Sequence, residues 1–174
     1  MAATLVVVGG LPATGKTTVS RRAADALGAA YVRIDTIEQA VKDSETNTGN
    51  VLNHAVEWGL GYEVGYAVAR DQLNRGMDVV ADCVNPMKIT RDAWQAVAAS
   101  TGTRLVEVEI VCSDEDEHRQ RATTRTVDVP NLVPPTWQQI VDREYEPWDR
   151  PHVVLDTAGT AIADTVARLC AAVR

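Results

Sequence analysis

The feature that most constrains this 174-residue chain is the stretch VVVGGLPATGKTTVS, residues 6–20. A β-branched run stops at two glycines, Pro12 bends the chain, and Lys16, Thr17 and Thr18 open a segment with helical character. Gly10, Leu11, Pro12, Ala13, Thr14, Gly15, Lys16 and Thr17 fit G-x-x-x-x-G-K-[ST], the P-loop pattern. Glycine lets the backbone turn its N–H groups inward into an anion-binding concavity. The helix that follows adds unpaired N–H donors and a positive dipole end. In that arrangement Lys16 reaches the β- and γ-phosphates of a nucleotide and the Thr17 hydroxyl holds Mg²⁺. Residues 10–18 form the expected nucleotide-binding set. The alternative is a plain glycine turn, but the strand before and the helix after are the context a P-loop requires.

The rest of the chain alternates apolar runs with helical periodicity. Strands are expected at 4–8, 30–34, 77–84, 104–112 and 152–157, and helices at 16–27, from 35 to 43, 88–100, 115–125, 136–145 and 160–173. Residues 44–50, SETNTGN, read as a loop. A long helix fits 51–75, with Ala55, Tyr62, Tyr66, Ala69 and Leu73 near one face. Gly59, Gly61 and Gly65 oppose it by about 1 kcal/mol each relative to Ala, unless they serve close approach of a backbone or a ligand. Such alternation specifies a parallel sheet covered on both faces. The expected fold is one three-layer α/β P-loop domain over 1–174. It has five parallel strands and a nucleoside-monophosphate-kinase-like layout, with a mobile lid around 118–135.

Composition narrows the partners. Hydrophobic residues make up 45% of the chain, enough for a folded core. The net charge of −7 disfavours nucleic acid, whose binding rests on Lys and Arg. Cys83, Cys112 and Cys170 lack metal-ligand spacing and read as reduced thiols. No leader pattern and no membrane-length apolar run appears, so a cytoplasmic protein is expected.

Four further features bear on chemistry. Asp35 follows a strand at the edge where open α/β sheets place ligands, so it is either the carboxylate that accepts a proton from an attacking hydroxyl or a helix N-cap. Asp82 ends another strand; it either helps Thr17 position Mg²⁺, acts on the acceptor, or is a polar strand terminus. Arg121 and Arg125, four apart, share a helix face and could fold over a triphosphate, unless they form a solvated basic face. The D-x-x-G of residues 156–159 matches a GTPase switch, but it follows the last strand and no N-K-x-D comes after it. It reads instead as a loop near the nucleotide base.

With these residues in view, the chain resembles the small P-loop kinases related to the kinase domain of bacteriophage polynucleotide kinase and to chloramphenicol phosphotransferase. The resemblance rests on GGLPATGKTT, on RID with Asp35, on GMDVVADCVNP with TRDAW, and on the arginine pair. It implies ATP with Mg²⁺ as donor, Asp35 as general base, Lys16 at the phosphates, and Arg121 and Arg125 in a lid. Polynucleotide kinases carry an arginine three residues after the base, where this chain has Glu38. The expected acceptor is therefore a small-molecule hydroxyl, with a nucleic-acid end kinase and a non-catalytic nucleotide switch as alternatives. Asp35, Glu38, Asp43, Glu45, Glu57 and Glu63, against Lys42 alone, point to a neutral or cationic acceptor.

Overall fold

The computed structural model describes residues 3–48 and 59–174. Its elements are β1 (Thr4–Gly9), α1 (Lys16–Leu27), β2 (Ala30–Arg33), α2 (Ile34–Thr48), α3 (Leu60–Asn74), β3 (Val79–Asp82), α4 (Lys88–Thr101), β4 (Arg104–Val111), α5 (Glu115–Thr124), α6 (Trp137–Val141), β5 (Val153–Asp156) and α7 (Ile162–Val173). The strands form one sheet in the order β2-β3-β1-β4-β5, and every ladder is parallel.

The unbroken apolar run of β1 follows from its central place. Side chains alternate across a strand, so Leu5 and Val7 enter one core and Val6 and Val8 the other, all four fully buried. The first core lies under α3 and α4, with Ala69, Leu73, Trp94 and Val97. The second lies under α1 and α7, with Val19, Ala23, Leu169 and Val173. Each such aliphatic burial contributes about 1.5–3 kcal/mol. A one-residue slip of β1 would exchange its partners in both cores. Parallel pairing also brings the carboxyl ends of all five strands to one edge, at Gly9, Arg33, Asp82, Val111 and Asp156.

Three sequence expectations change. Residues 44–48, read as a loop, complete α2. Ser, Thr and Asn cost only tenths of a kcal/mol in a helix already nucleated, and no Gly or Pro stands before 49. Of the helix expected over 51–75, α3 realises the part from Leu60; residues 51–58 lie outside the described residues. The helix expected over 136–145 stops at Val141. The chain beyond it is held open by Arg91, which is fully buried. Its guanidinium donates to the carbonyls of Asn85, Pro86, Glu146 and Pro147 and lies 4.4 Å from the Trp148 ring centre.

The glycines of α3 are explained by α2. A Cβ on Gly61 would collide with Glu38 Cγ, and one on Gly65 with Ile34 Cδ1. Gly59 starts α3 in the left-handed region, φ 83°. The two helices therefore approach at glycine, and this seats the first turn of α2, with Asp35, at the edge of the sheet.

Gly65→Ala is expected to destabilise the protein by about 1–3 kcal/mol through overpacking. Ile34→Val removes the colliding Cδ1, so the double variant should lose less than the sum of the two single changes, read from urea unfolding midpoints.

Candidate functional site

The loop after β1 turns so tightly that no side chain fits at its first residue, Gly10. Gly10 has φ 140°, its N–H donates to the Val84 carbonyl at 3.0 Å, and a Cβ there would strike the Ile110 carbonyl oxygen. Ala13 takes φ 66°, unusual for a non-glycine residue, and Gly15 takes φ 94° before α1 begins. The Thr14 hydroxyl closes the loop by donating to the Leu11 carbonyl at 2.9 Å. Lys16 is the first residue of α1 and only 5% exposed. The described residues offer its ammonium no hydrogen bond and no ion pair. A cation held at a helix N-terminus with no protein partner is a place for an anion. Lys16, Thr17 and Thr18 line a cavity of about 1160 Å³ over the strand ends, together with Pro12, Ala13 and Gly15. That exceeds a typical single-ligand pocket of about 300–1,000 Å³ and leaves room for two reactants.

Residues from α5 and from the end of β5 brace the loop. His118 Nε2 lies 2.8 Å from the Pro12 carbonyl, which only accepts, so this nitrogen carries the proton; the ring packs edge-on against Trp137. Thr157 Oγ1 lies 2.7 Å from the Thr14 carbonyl and 3.0 Å from that of Val111. Arg121 donates to Thr157 Oγ1 at 2.8 Å and to the Thr157 carbonyl at 3.0 Å, and is paired with Glu117. α5 ends at Thr124 and Arg125 is its C-cap; with a helical φ of −64° and its N–H bonded to the Arg121 carbonyl at 3.1 Å, it keeps the face of Arg121, and both arginines line the cavity. Arg121 is anchored on the P-loop side, whereas the Nε of Arg125 is buried without a partner among the described residues.

Asp35 lines the cavity from the first turn of α2. Its carboxylate accepts no backbone N–H among the described residues, so the capping alternative has no support in the geometry. The nearest cationic atom is Arg33 Nη2 at 3.9 Å. One turn on, Glu38 also lines the cavity; burial first, then the Asp35 charge, push its carboxyl up from 4.5 to about 7, against the opposing pull of Lys42 and Arg143. The Tyr62 hydroxyl, on the same wall, accepts the Asn85 N–H at 2.9 Å.

Asp82 is not on the cavity wall. It is 2% exposed, stands in register beside Val8 of β1, and accepts the Tyr31 hydroxyl at 2.7 Å. Among the described residues no cluster of three metal-ligating side chains occurs. Of the two residues expected at Mg²⁺, Thr17 is the one that reaches the cavity. The remaining wall is the loop 126–135, which Asp128 ties down by accepting from Arg33 Nη1 at 2.7 Å and pairing with Arg21. These hydrogen bonds hold the Asp128 carboxyl well below its ordinary range. The sequence expectation placed that loop in a mobile lid over 118–135 without naming Asp128, and took the Asp156–Gly159 turn only as a neighbour of the base. The tie through Asp128 and the brace through His118 join residues about a hundred positions apart, so no local signal carries them.

A strand-loop-helix cradle on the central strand of a 2-3-1-4-5 parallel sheet defines a P-loop nucleotide-binding protein. A family profile described as "AAA domain" matches residues 5–143, and the chain belongs to that family. A protein of Aeropyrum pernix named "Probable adenylyl-sulfate kinase" is 24% identical over 165 residues, covering 95% of this chain and 89% of that one. The Mycobacterium tuberculosis APS kinase solved with AMPPNP and APS superposes with a TM-score of 0.71 at 18% identity, covering 99% and 98% of the two chains. A gluconokinase from Sinorhizobium meliloti gives 0.66 at 20% identity, covering 98% and 91%. Among the described residues no helix is long and apolar enough to cross a membrane.

Glu38 supplies a pH test. Its raised value means that the folded chain keeps a proton which the unfolded chain releases between pH 4.5 and about 7. The associated stability is complete below 4.5 and is lost as pH rises through about 7. Glu38→Gln should match the parent at pH 4 and exceed it at pH 8 by on the order of 1–3 kcal/mol, measured by denaturant unfolding at the two pH values.

Proposed function

We propose that this protein is an ATP-dependent kinase that transfers the γ-phosphate to a hydroxyl of a small molecule. The observation that carries the reading is one cavity holding both halves of that chemistry. It has the ammonium of Lys16, without a protein partner among the described residues, at a P-loop, and the carboxylate of Asp35, free of any capping bond, on the same cavity. The kinase names of the relatives support it. So does the resemblance to the polynucleotide-kinase and chloramphenicol-phosphotransferase group, although Glu38 stands where a polynucleotide kinase has arginine.

In this reading Gly10 to Thr18 wrap the phosphates and Lys16 neutralises charge on the group in transit. Arg121 completes the nucleotide side. Asp35 orients the acceptor hydroxyl and takes its proton. Mg²⁺ supplies further charge neutralisation at the phosphates; the Thr17 hydroxyl would hold it, with Asp82 acting from beneath the wall. The segment 118–135 serves as the lid, with Asp128 tying it to Arg21 and Arg33. A lid seated over the phosphates would exclude water and favour transfer over hydrolysis.

Lys16→Ala should nearly abolish turnover in the folded variant, checked by labelled-phosphate transfer. Asp35→Asn should leave ATP affinity within about twofold and lower the transfer rate by roughly a hundredfold or more. Near-parental activity of the second variant in the same assay would remove Asp35 from the chemistry.

A further inference from the structure

Resting on the kinase reading, we infer that the acceptor carries an oxyanion group (a carboxylate, phosphate or sulfate) besides the hydroxyl it presents to Asp35, and that Arg125 holds that group. The argument begins with charge. The chain is acidic overall at −7, yet among the described residues its cavity is lined by eight Lys or Arg side chains and three carboxylates, Asp35, Glu38 and Asp128. A nucleoside triphosphate with its Mg²⁺ brings a net charge of about −2. That leaves an excess of positive charge around the acceptor which a neutral or cationic molecule would aggravate.

Of the acids that suggested such a molecule, the four whose side chains are described divide between the cavity and its surroundings. Asp35 and Glu38 line it. Asp43 accepts from Gln39 and Asn131, Glu63 is exposed, and the side chains of Glu45 and Glu57 lie outside the described residues. Glu38 is partly protonated near neutral pH, which weakens its repulsion of an anion.

Burial then distinguishes one arginine. Lys16 belongs to the phosphate loop, Arg121 is committed to Thr157 and Glu117, Arg21 and Arg33 are committed to Asp128, and Arg22 and Arg143 are exposed. Arg125 has no ion pair within 4.0 Å among the described residues, and its Nε is buried without an acceptor. It lines the same cavity as Arg33, a like charge, and Asp35, the proposed base. A planar guanidinium in that position is matched by a bidentate oxyanion. Anchoring the acceptor there, beside Asp35, orients its hydroxyl toward the nucleotide. The carboxylate, phosphate and sulfate options share this chemistry and differ in shape and charge.

Two measurements test the inference. In the first, protein saturated with AMPPNP and Mg²⁺ is titrated calorimetrically with inorganic sulfate and, in a separate arm, with acetate. At least one anion should bind, and Arg125→Met should weaken it roughly tenfold or more, whereas the exposed Arg70→Met should not. The arm that binds tells a tetrahedral dianion from a carboxylate. In the second, transfer from γ-labelled ATP is compared on matched pairs, a nucleoside against its 5′-monophosphate and a sugar against its aldonate. The anionic member should be preferred, and Arg125→Met should raise its KM roughly tenfold while leaving the KM for ATP within about twofold. Failure of both anions to bind, indifference of binding to Arg125, preference for the neutral members, or an equal loss on ATP would each overturn the inference and leave the kinase reading standing. Absence of labelled product from every pair would overturn the kinase reading and this inference with it.

Discussion

Everything at the candidate site follows from the pairing of β1 between β3 and β4 with all strands in one direction. Parallel strands need helical crossovers, and crossovers return each strand to the same edge. The chain must leave the central strand at Gly9 with β3 on one side and β4 on the other. Its exit is so narrow that Gly10 passes against the Ile110 carbonyl with no space for a Cβ. The tight loop and the placement of Lys16 at the start of α1 are consequences of that exit.

A second layer of organisation comes from contacts that sequence spacing does not encode. The helices α2 and α3 touch through glycine, which fixes how far the first turn of α2 projects over the edge. On the opposite side, α5 and the end of β5 hold the P-loop from behind through His118 and Thr157. The reacting groups are therefore carried by different elements, each immobilised by a neighbour. A site that must position two reactants needs this.

The legible and illegible parts of the sequence divide along these lines. The P-loop could be read because its chemistry is local: glycine, lysine and threonine at fixed offsets on one strand-loop-helix unit. The central strand could be read because burial on both faces leaves an unbroken apolar run, residues 5–8. Asp35 was visible as a carboxylate after a strand, but its failure to cap a helix became visible only once α2 was seen to begin at Ile34. The arginine pair was legible as i, i+4 spacing, which holds through the cap because Arg125 still bonds the Arg121 carbonyl; which of the two is already committed to Thr157 was not. Asp82 shows another limit, since a carboxylate at a strand end can be buried against a neighbour, here Tyr31, as easily as line a cavity. The tie from Asp128 to Arg21 and Arg33 is tertiary, and no periodicity announces it.

The buried guanidinium of Arg91 has a consequence for how the molecule comes apart. The stretch between α6 and β5 forms neither helix nor sheet, and two of its carbonyls, those of Glu146 and Pro147, are satisfied by this one side chain from α4. The same stretch delivers the edge strand whose last residues steady the P-loop through Thr157. Peeling β5 from the sheet would therefore strand a buried charge, which costs far more than fraying an ordinary edge strand. The outermost strand is tied to the centre of the fold, so amide exchange along it should follow global unfolding rather than local opening.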